Sequence, residues 1–265
     1  MLEKIILQKK NRLKKINQRE KIRAWEKELD QIPEAKDFRQ ALLKEPELAL
    51  IAEIKRASPS AGLLRAKVDV GDMAAIYERA GASCMSVLTE EDFFLGSSDD
   101  LRLVRGASQL PVLRKDFTLT DYQIWESRIL GADCLLLIAA ILPATELKKL
   151  SGLAKELGLQ ALVEVHTEKE LDQALEAGSQ IIGINNRDLN TMEVNLKTAE
   201  KLIQLVPDEM VTVSESGISS RADILALQEL GIDAALIGEA IIKSTDPGSK
   251  IRELIGRRIK TEVSR

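Results

Sequence analysis

The chain has 265 residues, 45% of them apolar and 30% charged, enough for a sizeable core under a well-solvated surface. Its formal net charge of −4 argues against a dedicated nucleic-acid binder, although a single phosphorylated metabolite needs only local positive charge. Cys84 and Cys134, the two cysteines, sit in apolar runs with no CxxC or Cys/His cluster, which disfavours a zinc site and a disulfide framework.

The start, MLEKIILQKK, lacks the apolar core of a signal peptide. Residues 1 to about 30 read as helical, with Leu2, Ile5, Ile6, Leu13, Ile16, Ile22 and Trp25 roughly at helical spacing. The segment is strongly basic between Lys9 and Arg23, which admits a nucleic-acid or membrane-surface reading. An amphipathic helix docked on the main domain is the favoured one. PEAKDFRQALLKEPE then reads as a connector with a short helix.

From Leu48 onward, eight short β-prone runs alternate with helical patterns: 50–55, 84–89, 111–115, 134–138, 160–165, 181–185, 211–215 and 234–237. The helical stretches include 70–80, 121–130, 144–157, 168–177, 196–205 and 220–230. Several end in AGAS, LGAD, ELGL, EAGS or LGID, where glycine suits a left-handed cap before the next strand. Repeated strand–helix units imply parallel strands, and eight of them predict a closed (β/α)8 TIM barrel. An open doubly wound sheet is the runner-up, but no GxGxxG follows the first strand. The apolar run from Cys134 to Leu142 is far shorter than the ~18 residues of a membrane span. A soluble, cytoplasmic protein that engages neither nucleic acid nor membrane is therefore expected.

Catalytic groups in such barrels gather at the C-terminal strand ends. The candidates there are Glu53 and Lys55 on the first strand, Lys115 on the third and Glu164 on the fifth, with Asn185 and Arg187 on the sixth and Glu215 on the seventh. Side chains alternate along a strand, so Glu53 and Lys55 share a face, which must be the lumen at its open top. A buried ion-pair network without chemistry is the bland alternative, but it gives no reason for two lysines and three glutamates to collect at one end. The turns SESGIS and IGEAI offer Ser216, Gly217, Gly238 and Glu239 as phosphate-binding candidates, Glu239 through its backbone N–H only. His166 is the single histidine, so a Ser-His-Asp triad is excluded and acid–base work falls to lysine and glutamate. His166 itself reads as a loop or helix cap.

In combination and in order, IAEIKRASPS, SVLTEEDFFLGSSDDL, PVLRKDF, DCLLLIAAIL, LVEVH, IGINNRDL, VSESGI and LIGEA resemble the indole-3-glycerol phosphate synthase family over residues 30–255. The resemblance implies a (β/α)8 barrel (48–255) with an N-terminal helical extension (1–47) of the same domain that helps cover the site, and a C-terminal tail (256–265). It implies a substrate, 1-(o-carboxyphenylamino)-1-deoxyribulose 5-phosphate, that becomes indole-3-glycerol phosphate, carbon dioxide and water without metal or organic cofactor. Lys115 would be the general acid and Glu164 the base or acid of later steps. Lys55 would bind the substrate carboxylate and assist dehydration, while Glu53, Asn185 and Glu215 position substrate and tune the lysines. Phe93 and Phe117 would line the anthranilate pocket, Ser58 and Pro59 belong to the first loop, and phosphate would rest on Ser216, Gly217 and Gly238 with Arg187 nearby. Association with other tryptophan-pathway enzymes is a further partner expectation. One departure is Ala61 in SPSAG, where the family commonly carries lysine. Competing readings are phosphoribosylanthranilate isomerase, which would want a cysteine at the end of the first strand, a non-catalytic barrel, and an interaction protein using the basic N-terminal segment.

Overall fold

The computed structural model describes residues 1–44, 47–189 and 191–257. Eight parallel strands close into a barrel: β1 (Ala49–Ile54), β2 (Cys84–Leu88), β3 (Val112–Lys115), β4 (Cys134–Ile138), β5 (Gln160–Val165), β6 (Ile181–Asn185), β7 (Val211–Glu215) and β8 (Ala234–Ile237). The ring shuts where β1 pairs with β8, Ala49 opposite Ala234 and Ala52 opposite Ile237. Each strand matches an expected run to within a residue.

The helices are α1 (Leu2–Leu13), α2 (Gln18–Glu26), α3 (Phe38–Leu43), α4 (Val70–Ala80), α5 (Ser98–Ala107), α6 (Asp121–Ile129), α7 (Ala144–Glu156), α8 (Glu168–Glu176), α9 (Lys197–Leu202), α10 (Arg221–Glu229), α11 (Glu239–Ile242) and α12 (Pro247–Leu254). Side-chain caps start many of them: Asp69 accepts from Asp72 N–H at α4, and Ser220 with Asp223 forms a capping box at α10. The five glycines expected as left-handed caps all have positive φ, from 75° at Gly158 to 100° at Gly81.

The alternation expected of β1 places Leu50, Ala52 and Ile54 in the layer under the helices. Ala49 and Ile51 point into the lumen with Cys84, Leu113, Cys134, Leu136, Leu162, Ile181, Val213 and Leu236. Both cysteines therefore sit at the starts of β2 and β4, deep in the barrel floor.

The first 44 residues strap the barrel from one end to the other. The single N-terminal helix expected is two, because the chain turns after Leu13 and Asn17 caps α2 by accepting from Glu20 N–H. α1 lies over the C-terminal strand ends: Ile5 packs with the Phe117 cluster, Lys9 Nζ is 2.6 Å from Asp116, and Arg12 grips Asp92 at 2.6 and 2.7 Å. α2 packs on α6 through Trp25 and Tyr122, ring centroids 5.2 Å apart. The strand of chain that follows is held by Arg128, which donates to the carbonyls of Pro33 and Ile32. α3 then seals the barrel floor with Phe38 and Leu42. Most of the expected C-terminal tail, 258–265, lies outside the described residues.

Candidate active site

The lumen-facing positions change character toward the C-terminal ends. Below they are mostly apolar, with Cys84 and Cys134 among them; above they are Glu53, Lys55, Lys115, Glu164, Asn185 and Glu215, all lining one cavity. Strand register sets their level: Asn185 pairs with Glu215, and Ile138 with Glu164. Each of these groups is an odd or even continuation of a lumen row, so the alternation that buries Ile51 and Leu162 also delivers Glu53 and Glu164.

Lys115 sits between two carboxylates. Its Nζ donates to Glu164 Oε2 at 3.1 Å and to Glu215 Oε2. Burial works against its charge, but Glu215, Glu164 and Glu53 outweigh it and push the ammonium above its usual range. Asn185 Nδ2 donates to the other oxygen, Oε1, of Glu164 at 3.1 Å. Burial disfavours the Glu164 charge, yet Lys115, His166 and the Asn185 hydrogen bond hold it below its usual value. Glu215 has the opposite balance: burial, reinforced by Glu164 and Glu53 and only partly offset by Lys115, pushes it up to about 7. The two carboxylates around one lysine thus divide, one ionised and one poised near neutrality. Across the cavity Lys55 Nζ is 2.6 Å from Glu53 Oε1.

Two glycines make room for this cluster. A Cβ on Gly183, one step below Asn185 on β6, would stand 2.6 Å from Glu215 Oε1. A Cβ on Gly238 would collide with Glu53 Oε1. At the ends of β7 and β8, Ser216 (φ 67°) and Gly217 (φ 81°) form a left-handed turn, and Gly238 caps α11; both border the cavity, with Glu239. The Glu239 carboxylate turns to Lys243, 2.6 Å away. Arg187 also borders the cavity and donates from Nη1 to Met192 O at 3.0 Å.

Ser58 and Pro59 border the cavity from the first loop, a two-strand hairpin of Ala57–Ser58 and Gly62–Leu63. Of the two aromatic candidates, Phe117 lines the cavity and Phe93 does not. Its place is taken by Phe94, 6.2 Å ring to ring from Phe117. Phe93 instead lies under the Lys4 ammonium of α1, 5.8 Å from its ring centroid. The loop's turn decides which of two adjacent rings points inward: Glu90 Oε2 accepts from the N–H groups of both Phe93 and Phe94. Sequence reasoning also missed Asp116, whose carboxylate joins Lys9, Thr89 and the Phe117 N–H beside the cavity. His166 is a second miss: Thr167, not His166, caps α8 with its side chain, and the His166 ring turns toward Glu164.

Fold and site together define a closed (β/α)8 barrel with lysines and glutamates gathered around one cavity at the C-terminal strand ends. A family model described as indole-3-glycerol phosphate synthase matches residues 2–254. The indole-3-glycerol phosphate synthase of Dehalococcoides mccartyi strain CBDB1 is 52% identical over 216 residues, 80% of this chain and 83% of that one. That of Acetivibrio thermocellus is 46% identical over 255 residues, 96% and 98% of the two chains. The chain belongs to the indole-3-glycerol phosphate synthase family. Among solved structures, KGPDC from Streptococcus mutans aligns with a TM-score of 0.62 at 12% identity, over 80% of this chain and 97% of that one. A tryptophan synthase α-subunit from Pyrococcus furiosus aligns at 0.60 and 16% identity, over 78% and 98%. At such identities these two speak for the barrel alone. Among the described residues no helix is long and apolar enough to cross a membrane.

Proposed function

We propose that the chain converts 1-(o-carboxyphenylamino)-1-deoxyribulose 5-phosphate into indole-3-glycerol phosphate, carbon dioxide and water, as a cytoplasmic carboxy-lyase of tryptophan biosynthesis. The observation that carries the reading is Lys115 held between Glu164 and Glu215 inside a cavity that Lys55 and Glu53 complete.

Ring closure costs the anthranilate its aromaticity, so the ketose carbonyl must be strongly polarised. Lys115 stays protonated until an alkoxide develops on that oxygen and takes its proton. Loss of carbon dioxide then needs no base. Lys55, 2.6 Å from Glu53, is placed to pair with the substrate carboxylate and to help the hydroxyl depart. Glu164, ionised, removes the last proton from the new five-membered ring and completes the indole, the benzene ring having been restored when carbon dioxide left; Asn185 orients it. Glu53 and Glu215 hold the lysines. Phe94 and Phe117 offer faces to the anthranilate ring, bordered by Ser58 and Pro59. The phosphate is assigned to the turn at Ser216 and Gly217 and to the backbone at Gly238 and Glu239, with Arg187 beside it.

The isomerase reading gains nothing from the geometry, since both cysteines lie in the floor rather than at the cavity. Indole fluorescence on mixing the purified chain with the substrate tests the proposal, beside Lys115→Ala. Growth in wild type and near-abolition in the variant are expected. Absence of growth in folded wild type overturns it.

A further inference from the structure

His166 continues the lumen row of β5, two positions beyond Glu164. Its ring spans the wall between the cavity, where Glu164 lies, and an outer cleft formed with Glu168, Lys169, Lys197 and Lys201. On one side Nδ1 is 3.2 Å from Glu170 Oε2, an oxygen that also accepts the His166 backbone N–H at 2.7 Å. On the other, Nε2 is buried, has no hydrogen-bond partner among the described residues, and is 3.5 Å from Glu164 Oε1.

This geometry constrains the ring's protons. An ionised carboxylate only accepts, so Nδ1 carries a hydrogen toward Glu170. A neutral ring would then aim the Nε2 lone pair at the Glu164 carboxylate, two acceptors facing with no donor between them. A second proton on Nε2 removes the conflict and sets a cation beside Oε1, the oxygen that Lys115 leaves to Asn185.

We propose that His166 is a positioning residue for Glu164: an imidazolium, braced by Glu170, that keeps the Glu164 carboxylate ionised and oriented. The consequence for the reaction rests on the function proposed above. When Lys115 has given up its proton, Glu164 loses its main counter-charge; His166 supplies another and keeps the base available. The groups facing the ring agree with a charged state. Burial opposes it, but the hydrogen bond to Glu170 and the charges of Glu164, Glu170 and Glu215 outweigh burial and raise the imidazole above its ordinary range, while Glu170 is held below its own.

His166 is the only histidine in the sequence, so its imidazole resonances in the tag-free protein are unambiguous. Their titration by NMR is expected to show a midpoint above 6.5, the ordinary value, falling by about one unit in Glu164→Gln and also falling in Glu170→Gln. A wild-type midpoint at or below 6.5, or one unmoved by Glu164→Gln, overturns the proposal. In turnover, His166→Asn is expected to move the acid limb of the kcat–pH profile up by about one unit, with KM within about twofold of wild type. The two profiles converge above the imidazole midpoint, and His166→Lys restores the limb. A uniform fall in kcat at every pH, with the limb in place, reduces His166 to packing and also overturns the proposal. Absence of wild-type turnover alongside the expected titration sinks the proposed reaction and leaves the pairing of His166 with Glu164 supported.

Discussion

Gly183 and Glu215 share one piece of space: the carboxylate of Glu215 occupies the volume that any β-carbon at position 183 would need. The strand is ordinary there, so what glycine supplies is absence of a side chain. Gly183→Ala would press on Leu162 and on Glu215 Oε1 together. We expect a loss of about 1–3 kcal/mol in stability, from overpacking. The fall in kcat should be larger than the KM change, because Glu215 moves off Lys115. Denaturant titration and steady-state kinetics on the same preparation check both; unchanged kcat in a destabilised protein would count against Glu215 as a tuner of Lys115.

The adjacent phenylalanines should separate cleanly. Phe94→Ala opens the cavity wall opposite Phe117 and should raise KM by roughly an order of magnitude, the scale of about 1–3 kcal/mol for an apolar pocket contact. Phe93→Ala removes the ring under Lys4 and should leave KM within about twofold, since an exposed cation–π contact is worth only about 0.5–1 kcal/mol. Equal effects would mean that the inward ring was misassigned.

Glu53→Gln tests the second lysine. Lys55 keeps a hydrogen-bonding neighbour at the Glu53 position but loses the charge-assisted bond, 2.6 Å long, that holds its ammonium in place. KM should therefore rise by roughly an order of magnitude, because a less firmly held ammonium pairs less well with the substrate carboxylate. A KM identical to wild type would remove Glu53 from the positioning of Lys55.

Lys9→Met tests the strap. Burial opposes the charge of Asp116, but Lys9, Arg114 and Thr89 hold its carboxyl below the ordinary 3.8. A depressed folded value gives stability that is present above 3.8 and lost as pH falls through the folded value. Without Lys9 the folded value rises, so acid unfolding should begin at higher pH, with a neutral-pH cost of about 1–2 kcal/mol. Circular dichroism against pH reads the midpoint; no shift would mean that Arg114 and Thr89 alone set the Asp116 charge.

Much of this was legible in order along the chain. Apolar runs of four to six residues punctuated by Gly81, Gly131, Gly158, Gly178 and Gly231 spelled out the strand–helix repeat, and parity along β1 put Glu53 and Lys55 in the lumen. α5 escaped because it closes on Ser108 in extended backbone rather than on a left-handed glycine, and α11 is a single turn. The break between α1 and α2 carries neither proline nor glycine; only Asn17 marks it. Phe93 and Phe94 cannot be told apart by periodicity in a loop, where the Glu90 hydrogen bonds decide. His166 and Glu164 were both visible, but two residues apart on one strand face is a relation that holds only while the extended backbone persists past Val165.

The pairing of β1 with β8 also has a temporal side. Ala49 and Ala234 must meet for the ring to shut, and nearly the whole barrel lies between them in the chain. A nascent chain leaving the ribosome therefore carries β1 with one edge unsatisfied until the last strand is made, and α1 has no finished rim to settle on before then. Such distant pairing slows folding and lengthens exposure of an open sheet edge. A chain stopped before Ala234 would present that edge permanently, so premature termination in this gene should yield aggregates rather than a smaller working enzyme.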